Sequence, residues 1–360
     1  MTLSEIPTFR LINQKIAKSE FKTAIEVVGW MGAMQAQDYA MSKWAIGIRL
    51  LNPTNEKIEE SIDNGEIIRT HLMRPTWHLV TAHDIYWLLE LTAPKILSSM
   101  KSRNKVLELS DVIFTKTNHL IEKALVKEIN LTREELAVEM HKAKIPTDNN
   151  RLSHILFTAE LNGIICSGRK KGGKLTYALL NERVPNKNVL TRDESLVELA
   201  KRYFTSHGPA TEKDFSWWSG LSASDARKAV ESVKSGFISE TIDSGKYWMP
   251  ISLTKNSNKK TSLFMLPAYD KFLISYTDRI ASLALPHHKK AVSSNGIFRP
   301  VIVVNGQVVG SWKRLTNGKR VIIEPEFFQP PDKLTISFLE NEVYRFGHFL
   351  KKETEMIYNW

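Results

Sequence analysis

One order of predicted elements occurs three times along the chain: an amphipathic helix, a small-residue stop, a short apolar strand, a turn and a second strand. Glycine occupies the stop each time, as Gly65, Gly163 and Gly236, and glycine after a helix supplies the left-handed backbone that ends it. The predicted helices and strand pairs are 56–62 with 67–71 and 77–80, 152–161 with 164–166 and 175–180, and 223–233 with 237–238 and 247–249. Further helices are predicted ahead of these hairpins, at 21–34, 133–142, 196–204 and 212–218.

Helices followed by a hairpin define the winged-helix form of the helix-turn-helix. Three occurrences in the same order predict three winged-helix modules in series, over residues 1–108, 109–188 and 189–254. The alternative is a set of unrelated α+β domains that share a common helix-to-hairpin step.

The C-terminal part of the chain has a different, strand-rich pattern. Its turns Asn305-Gly306 and Asn317-Gly318 are typical of two-residue hairpins. Strands are predicted at 296–304, 307–313, 320–324 and 334–338, and a closing helix at 340–352. We therefore predict an α+β fold in which a polar linker, 255–260, precedes a β-rich domain, 261–360.

Composition limits the partners and cofactors of the protein. Its formal charge of +11 suits a polyanion, although a basic surface without a partner explains it equally well. Cys166 is the only cysteine, and none of the ten histidines pairs with a carboxylate at ligand spacing, so we expect no metal and no cofactor. No apolar run approaches the ~18 residues of a membrane span, and residues 1–20 lack a secretory pattern. We expect a cytoplasmic protein with no membrane partner.

A basic loop at 168–174 superficially resembles a phosphate-binding loop. Leu175 stands where that motif needs Ser or Thr, and a strand follows in place of a helix. The repeat predicts instead that this loop is the tip of the second wing. Glycines there would let cations approach a phosphate backbone, although a solvated turn is the alternative. The residues that we predict to bind DNA are Arg69 and Arg74 in the first hairpin and Arg169, Lys170, Lys171 and Lys174 in the second.

Two glutamines, Gln35 and Gln37, follow a strongly apolar helix. Residues two apart point in different directions on a helix but share a face of an extended chain. The two amides can therefore serve one site only if the helix ends near Met34. The alternative is a polar helix end whose amides satisfy nearby backbone groups.

Several stretches of the chain resemble the AlkZ-like DNA glycosylases. The resemblance spans nearly the whole chain. The stretches that carry it are Gln35-Ala36-Gln37-Asp38, Trp44-Ala45-Ile46, Arg49, Arg74-Pro75-Thr76-Trp77-His78-Leu79-Val80, Leu266-Pro267-Ala268-Tyr269-Asp270, Tyr276, Asp278-Arg279, Arg299-Pro300-Val301 and Gly310-Ser311-Trp312.

The resemblance implies three tandem winged helices and a C-terminal β-barrel-like domain around a basic channel. It also implies excision of N7-alkylated purines, including interstrand crosslinks, from double-stranded DNA at the nucleoid without a metal or cofactor. The family's catalytic motif is Gln, an aliphatic residue and Gln, which Gln35, Ala36 and Gln37 match. A sister group carries Asp at the third position, and Asp38 lies one residue later. Asp38 and His78 are therefore candidates for supporting roles, and packing at the base of the wing is the alternative for His78.

A second class of function is a non-enzymatic winged-helix DNA-binding protein, either a regulator or an architectural protein, because many winged helices only bind. A role in RNA binding also stays open. The chain has no coiled-coil heptads, and we expect a monomer.

Overall fold

The computed structural model describes residues 1–127, 129–252 and 261–358, and its fold is mixed α+β. The helices in these ranges are α1 Ile6–Asn13, α2 Ala24–Met31, α3 Tyr39–Gly47, α4 Asn55–Asp63, α5 Ile85–Val106, α6 Asp111–Leu125, α7 Arg133–Lys142, α8 Arg151–Leu161, α9 Leu180–Arg183, α10 Arg192–His207, α11 Glu212–Ser219, α12 Ala223–Val233, α13 Lys271–Ile274, α14 His288–Ala291 and α15 Lys333–Leu350. The strands are β1 Met34–Gln35, β2 Ile67–Leu72, β3 Thr76–Thr81, β4 Leu131–Thr132, β5 Ile165–Ser167, β6 Thr176–Leu179, β7 Phe237–Ile242, β8 Gly245–Pro250, β9 Leu263–Leu266, β10 Val301–Val304, β11 Gln307–Asn317, β12 Arg320–Phe327 and β13 Glu353–Met356.

The predicted order of elements is found three times. Three helices precede an antiparallel hairpin as α2, α3, α4 and β2–β3, then as α6, α7, α8 and β5–β6, and again as α10, α11, α12 and β7–β8. The helices predicted at 133–142 and 223–233 have those bounds in the structure. The predictions of these two helices and of the three hairpins are confirmed, whereas α3 and α6 are helices that the sequence did not predict.

By packing, the chain divides into two compact units. The first unit contains Met1–Glu59, Val197–Trp218 and Ser222–Trp360, and the second contains Glu60–Leu196 and Ser219–Leu221.

The first unit contains the C-terminal sheet, a curled half-barrel of five strands in the order β13-β12-β11-β10-β9. Neighbouring strands are antiparallel except β12 and β13, which are parallel. The long helix α15 packs against β9 and β13. Its buried residues Leu339, Val343, Phe346 and Phe349 recur every three or four positions, which is the spacing of one helix face.

In the second unit, α6, α7 and α8 pack around a common apolar core. Residues from all three helices are fully buried there, among them Ile121, Leu136 and Ile155. A three-stranded sheet in the order β4-β6-β5 lies beside these helices, and the β2–β3 hairpin contacts α5, α8 and β5.

Some predictions about the C-terminal part were wrong in detail. Residues 334–338, predicted as a strand, form the first turns of α15, because Asp332 caps this helix by accepting a hydrogen bond from the Thr335 amide at 2.7 Å. The strand predicted at 296–304 begins only at Val301, directly after Pro300. The turn predicted at Asn317-Gly318 is shifted by one residue, because Asn317 pairs with Arg320. The linker predicted at 255–260 lies outside the described residues.

Candidate active site and nucleic-acid interface

Helix α2 ends before the glutamine motif. It begins at a capping box between Thr23 and Glu26 and ends at Gly32, whose φ is +74°. A side chain at Gly32 would adopt a conformation that L-residues rarely take, and its Cβ would lie 3.5 Å from the Trp218 ring. Residues 33–38 are therefore outside any helix, as a shared site for the two amides requires.

The three residues of the motif differ in burial. Gln35, in β1, is 4% exposed, and its Oε1 atom has no hydrogen-bond partner among the described residues. Ala36 is fully buried, which explains why a small aliphatic residue stands between the glutamines. Gln37 is exposed. The motif thus contains one enclosed amide and one amide open to solvent.

Asp38 begins the next helix. Its Oδ1 atom accepts a hydrogen bond from the Met41 amide at 3.0 Å, so it is the N-cap of α3. The Asp38 carboxylate adds to the effect of burial in raising the pKa of Tyr269, and it opposes the lowering of the Arg314 pKa by burial. Tyr269 and Arg314 are therefore within electrostatic reach of the motif.

Helix α3 is fixed to the C-terminal sheet and to α15 by Trp44. The indole Nε1 of Trp44 donates to the Met265 carbonyl at 2.8 Å, and the ring packs 5.1 Å, centroid to centroid, from both Phe346 and Phe349. Because Asp38 is the N-cap of this helix, the packing of Trp44 also fixes the position of the residue that follows Gln37.

A buried ion pair provides a second attachment. Both oxygens of Asp270 accept hydrogen bonds from Arg49, at 2.8 and 2.9 Å, and the two side chains are 2% and 0% exposed. The same guanidinium donates to the Gln14 and Ala45 carbonyls and to the Gln14 side chain. These contacts give both buried charges hydrogen-bond partners. They also fix the position of Asp270, the residue that follows Tyr269 in the chain.

The first hairpin belongs to the second unit, and it holds three of the predicted site residues. His78 in β3 is fully buried, with Nδ1 3.1 Å from the Thr76 carbonyl oxygen, so it packs within the hairpin. Arg69 in β2 is also buried, with its guanidinium carbon 3.7 Å from the centre of the Trp77 ring. Arg74 lies half-buried in the turn. The positive φ of this turn, +62°, falls on Met73.

The second hairpin has the predicted tip. Lys171 and Lys174 pair across Gly172 and Gly173, whose φ values are +56° and +79°, as a tight turn of this kind requires. Apart from the chain neighbours of each glycine, no described residue has an atom within 4 Å of a Cβ built at either position, so the tip is open.

The cations of this tip have protein contacts of their own. Arg169 Nε donates to the Asp63 carbonyl at 3.0 Å, and Lys171 Nζ pairs with Glu135 at 2.6 Å. Lys170 is half-buried, and its amide donates to the Asp63 carboxylate, while Lys174 is exposed.

Other polar features have no role in this site. Cys166 is buried, and burial raises the pKa of its thiol to about 12, so the thiol is unreactive near neutral pH. Within the described ranges, no three His, Cys, Asp or Glu side chains are grouped so that they could hold a metal ion. No helix in the described part of the chain is long and apolar enough to cross a membrane.

The fold resembles that of a known DNA repair enzyme. The structure of Streptomyces sahachiroi DNA glycosylase AlkZ superposes with a TM-score of 0.82 at 20% identity, covering 99% of this chain and 100% of that one. In sequence, the chain is 23% identical over 357 residues to the interstrand DNA cross-link repair glycosylase of Streptomyces sahachiroi, with 94% of each covered. The profile of the family "DNA glycosylase AlkZ-like" matches residues 28–349. The chain belongs to this family and is a DNA glycosylase, an enzyme that hydrolyses N-glycosyl bonds in DNA.

Sequence reasoning missed two residues near the motif, Tyr269 and Arg314. Tyr269 lies in a stretch that carried the family resemblance, and its φ of +59° is unusual for a bulky residue. Such backbone conformations concentrate at functional sites. No sequence signal distinguishes Arg314 from the other cations of a basic chain, because only the folded sheet brings it to Asp38.

Proposed function

We propose that this glycosylase excises N7-alkylated purines from double-stranded DNA, and that interstrand crosslinks joined through such adducts are also substrates. The observation that carries the proposal is the buried Oε1 atom of Gln35, which has no partner among the described residues and lies two positions before the exposed amide of Gln37. Leaving a buried acceptor unsatisfied costs about 1–3 kcal/mol, and such groups are usually retained for a purpose. The name of the Streptomyces relative supports the extension to crosslinks.

The chemistry suits neutral amides. An N7-alkylated purine is already cationic, so its bond to the sugar breaks without prior protonation of the base. The electron pair of the C1′–N9 bond leaves with the base and neutralises it, positive charge grows on the sugar, and water adds at C1′ and loses a proton. Amide oxygens of Gln35 and Gln37 aimed at this position would orient the water and stabilise the growing charge without being titrated themselves.

Asp38 is the candidate to receive the proton from the water. Its Oδ1 atom caps α3 through the Met41 amide, and Arg314 and Tyr269 lie within its electrostatic reach. In this proposal the positive charge of Arg314 lies within electrostatic reach of the carboxylate, and Oδ2 would take the proton from the water. This proposal gives His78 no step in the chemistry, because its ring is fully buried and its Nδ1 atom lies 3.1 Å from the Thr76 carbonyl oxygen.

We further propose that the three helix–hairpin repeats are winged-helix modules, with the boundaries predicted from the sequence, and that they hold duplex DNA as a monomer at the nucleoid. The open tip of the second hairpin contributes Arg169, Lys170, Lys171 and Lys174 to this grip. Arg169 and Lys171 would exchange their contacts with Asp63 and Glu135 for phosphates. Arg74 of the first hairpin is a further candidate.

The chemical proposal is tested with duplex DNA carrying one N7-methylguanine, under single-turnover conditions, by counting abasic sites. We expect Gln37→Ala to lower the excision rate by ~10²–10³, as loss of a placed transition-state group does, while DNA affinity changes by no more than a few-fold. Gln35→Ala should have a smaller effect. Gln329→Ala is the matched control, because Gln329 is also exposed but lies far along the chain from the motif.

Three results would revise the proposal. If Asp38→Asn abolishes excision while both glutamine variants remain active, the acid and not the amides performs the chemistry. If only duplexes joined by an N7–N7 crosslink are unhooked, the substrate is narrower than proposed. If the wild-type protein binds duplex tightly but releases no base from either substrate, the chain is a non-enzymatic DNA-binding protein.

The proposed grip on DNA is tested by the salt dependence of affinity. The log–log slope should be near −0.9 per phosphate neutralised, and replacing the four cations of the second hairpin with Ser should flatten it. An unchanged slope in a variant with an unchanged melting temperature would exclude this hairpin from the DNA interface.

A further inference from the structure

A cavity of about 370 Å³ lies within the second unit. Its lining residues fall between His71 and Tyr177, so none of them belongs to the glutamine motif. This volume lies in the range of small-molecule sites, ~300–1,000 Å³. Its wall combines apolar rings with a few charged groups. The side chains that give the cavity its chemical character are Trp77, Phe157, Tyr177, His71, Arg133 and Glu160.

Glu160 is the unusual member of this wall. Its side chain is fully buried, and its Oε2 atom lies 2.5 Å from Nδ1 of His71. Its Oε1 atom is also buried and has no hydrogen-bond partner among the described residues. Burial raises the pKa of Glu160, and the neighbouring His71 opposes that shift. One oxygen of the carboxyl thus has a protein partner, and the other, at the wall of the cavity, has none among the described residues.

The aromatic side chains hold this pair rigidly. The His71 ring packs 3.8 Å from the Trp77 ring and meets the Phe157 ring edge-on at 4.3 Å, centroid to centroid. His71 therefore cannot turn to serve the second oxygen of Glu160. The rings of Phe157 and Tyr177, together with neighbouring apolar residues, leave a lining suited to a flat ring.

Arg133, the first residue of α7, supplies donors to the same cavity. Its Nη2 atom donates to the Ser153 hydroxyl at 2.8 Å. Arg133 also forms a side-chain hydrogen bond with Tyr177, which lowers the pKa of Tyr177, whereas burial and the Glu160 carboxylate raise that pKa. A guanidinium has five N–H groups, so these two bonds do not exhaust it. The cavity accordingly presents an acceptor at Glu160, donors at Arg133 and apolar rings near both.

We propose that this cavity binds a free purine base of the guanine type. Such a base has N–H donors at N1 and N2 for Glu160 Oε1 and a carbonyl acceptor at O6 for the guanidinium of Arg133. Arginine is the residue that most often reads O6 of guanine. Adenine lacks this acceptor, so the cavity would discriminate against it. The site goes beyond the proposed excision reaction, because a free base can bind here whether or not this chain releases it.

The test is calorimetric titration of the full-length protein with 7-methylguanine, with adenine and 1,7-dimethylguanine as comparison ligands. We expect saturable binding of 7-methylguanine and at least tenfold weaker binding of the other two, because adenine lacks O6 and the dimethyl compound lacks the N1 donor. Glu160→Gln should weaken 7-methylguanine binding at least tenfold, and Arg133→Met should weaken it as well. The isosteric Gln keeps the size of the Glu160 side chain but gives up its pair with His71, so binding by this variant is measured at a temperature where its melting curve shows it folded.

Two control variants make the result specific. Glu134→Gln removes an exposed carboxylate from the same helix as Arg133 and should leave binding unchanged. Gln37→Ala should also leave it unchanged, which separates this cavity from base binding at the catalytic motif. No saturable binding of 7-methylguanine, equal binding of adenine, or unchanged binding by Glu160→Gln would overturn the proposal. If the protein binds free 7-methylguanine but releases no base from DNA, the proposed function is wrong and the proposed base-binding site stands.

Discussion

The ion pair between Arg49 and Asp270 offers a quantitative test of how the motif is held in place. Both side chains are almost completely buried, and the guanidinium binds both carboxylate oxygens at 2.8–2.9 Å. Removing one partner of such a pair leaves a buried charge and typically destabilises a protein by ~3–5 kcal/mol. Asp270 also caps α13 through the Phe272 amide at 2.9 Å, which is worth ~1 kcal/mol.

These two contributions can be separated by the choice of variant. Asparagine caps helices as well as aspartate does, so Asp270→Asn should lose only the ion pair, about 3 kcal/mol. Asp270→Ala loses the cap too and should be about 1 kcal/mol worse. Arg49→Met removes the cation but leaves Asp270 bonded to the Phe272 amide. The double variant Arg49→Met/Asp270→Asn should therefore be clearly more stable than the sum of the single effects predicts.

The assay is urea unfolding of wild type, the two single variants and the double variant, combined as a double-mutant cycle. We expect a coupling free energy above ~1.5 kcal/mol, together with slower single-turnover excision by Asp270→Asn at a temperature where it remains folded. A coupling below ~0.5 kcal/mol would refute the reasoning, because the two charges would then contribute independently. Full excision activity in a destabilised Asp270→Asn would show that the pair holds the fold but not the motif.

Three further outcomes are expected from the packing and protonation of buried groups. Gly47→Ala should lower the free energy of unfolding by ~1–3 kcal/mol in urea titrations, because the new Cβ would lie 2.8 Å from the Phe349 ring. Burial and the positive charges of Lys271, Arg49 and Arg10 lower the pKa of His207 well below 6.5. The unfolded chain therefore binds a proton at this residue at a pH where the folded chain does not. The protein should therefore lose stability as the pH falls below about 6.5. Urea unfolding midpoints should show a smaller loss in His207→Gln. Constant stability of the wild type from about pH 7.5 to 5.5 would contradict this expectation. Cys166 should resist iodoacetamide at about pH 8 until the protein unfolds, as followed by mass spectrometry, and rapid labelling of the folded protein would show an accessible thiolate.

The sequence predicted the repeated helix–hairpin order because each of its signals is local. The glycine stops, the two-residue turns and the apolar spacing of α7, α8 and α12 depend only on neighbours in the chain. The long helix α5 was not predicted, and it contains Pro94, a residue that ordinarily ends helices. The first turns of α15 were mistaken for a strand, because residues 334–338 alternate apolar and polar side chains and Leu334 lies exposed on the helix.

The candidate site was predictable only in part, for a physical reason. Local geometry predicted that Gln35 and Gln37 can share a site only if the helix before them ends by Met34. In the structure that helix ends earlier, at Met31, with Gly32 as its C-cap. The family resemblance supplied the roles of Gln35 and Gln37. Burial was beyond the reach of the sequence, so Arg69 was chosen by residue type and His78 through the resemblance, although both side chains are buried in the first hairpin. Tyr269 and Arg314 approach Asp38 only through the folded C-terminal sheet.

Two of the buried acceptors that lack a partner among the described residues lead to expectations about stability. Gln35 Oε1 in the first unit and Glu160 Oε1 in the second each lack a partner among the described residues, and each such atom costs the fold about 1–3 kcal/mol. A group that serves only the fold should cost stability when it is removed. A group kept for a ligand should instead leave the protein equally stable or more stable when it is replaced by an apolar or neutral side chain of similar size. We therefore expect Gln35→Leu to melt no lower than wild type while its excision is slowed. Glu160→Gln should weaken base binding, and because it also breaks the pair with His71, its melting temperature reports that pair as well. A large loss of stability in Gln35→Leu would assign that residue to the fold and remove the physical basis of the catalytic proposal.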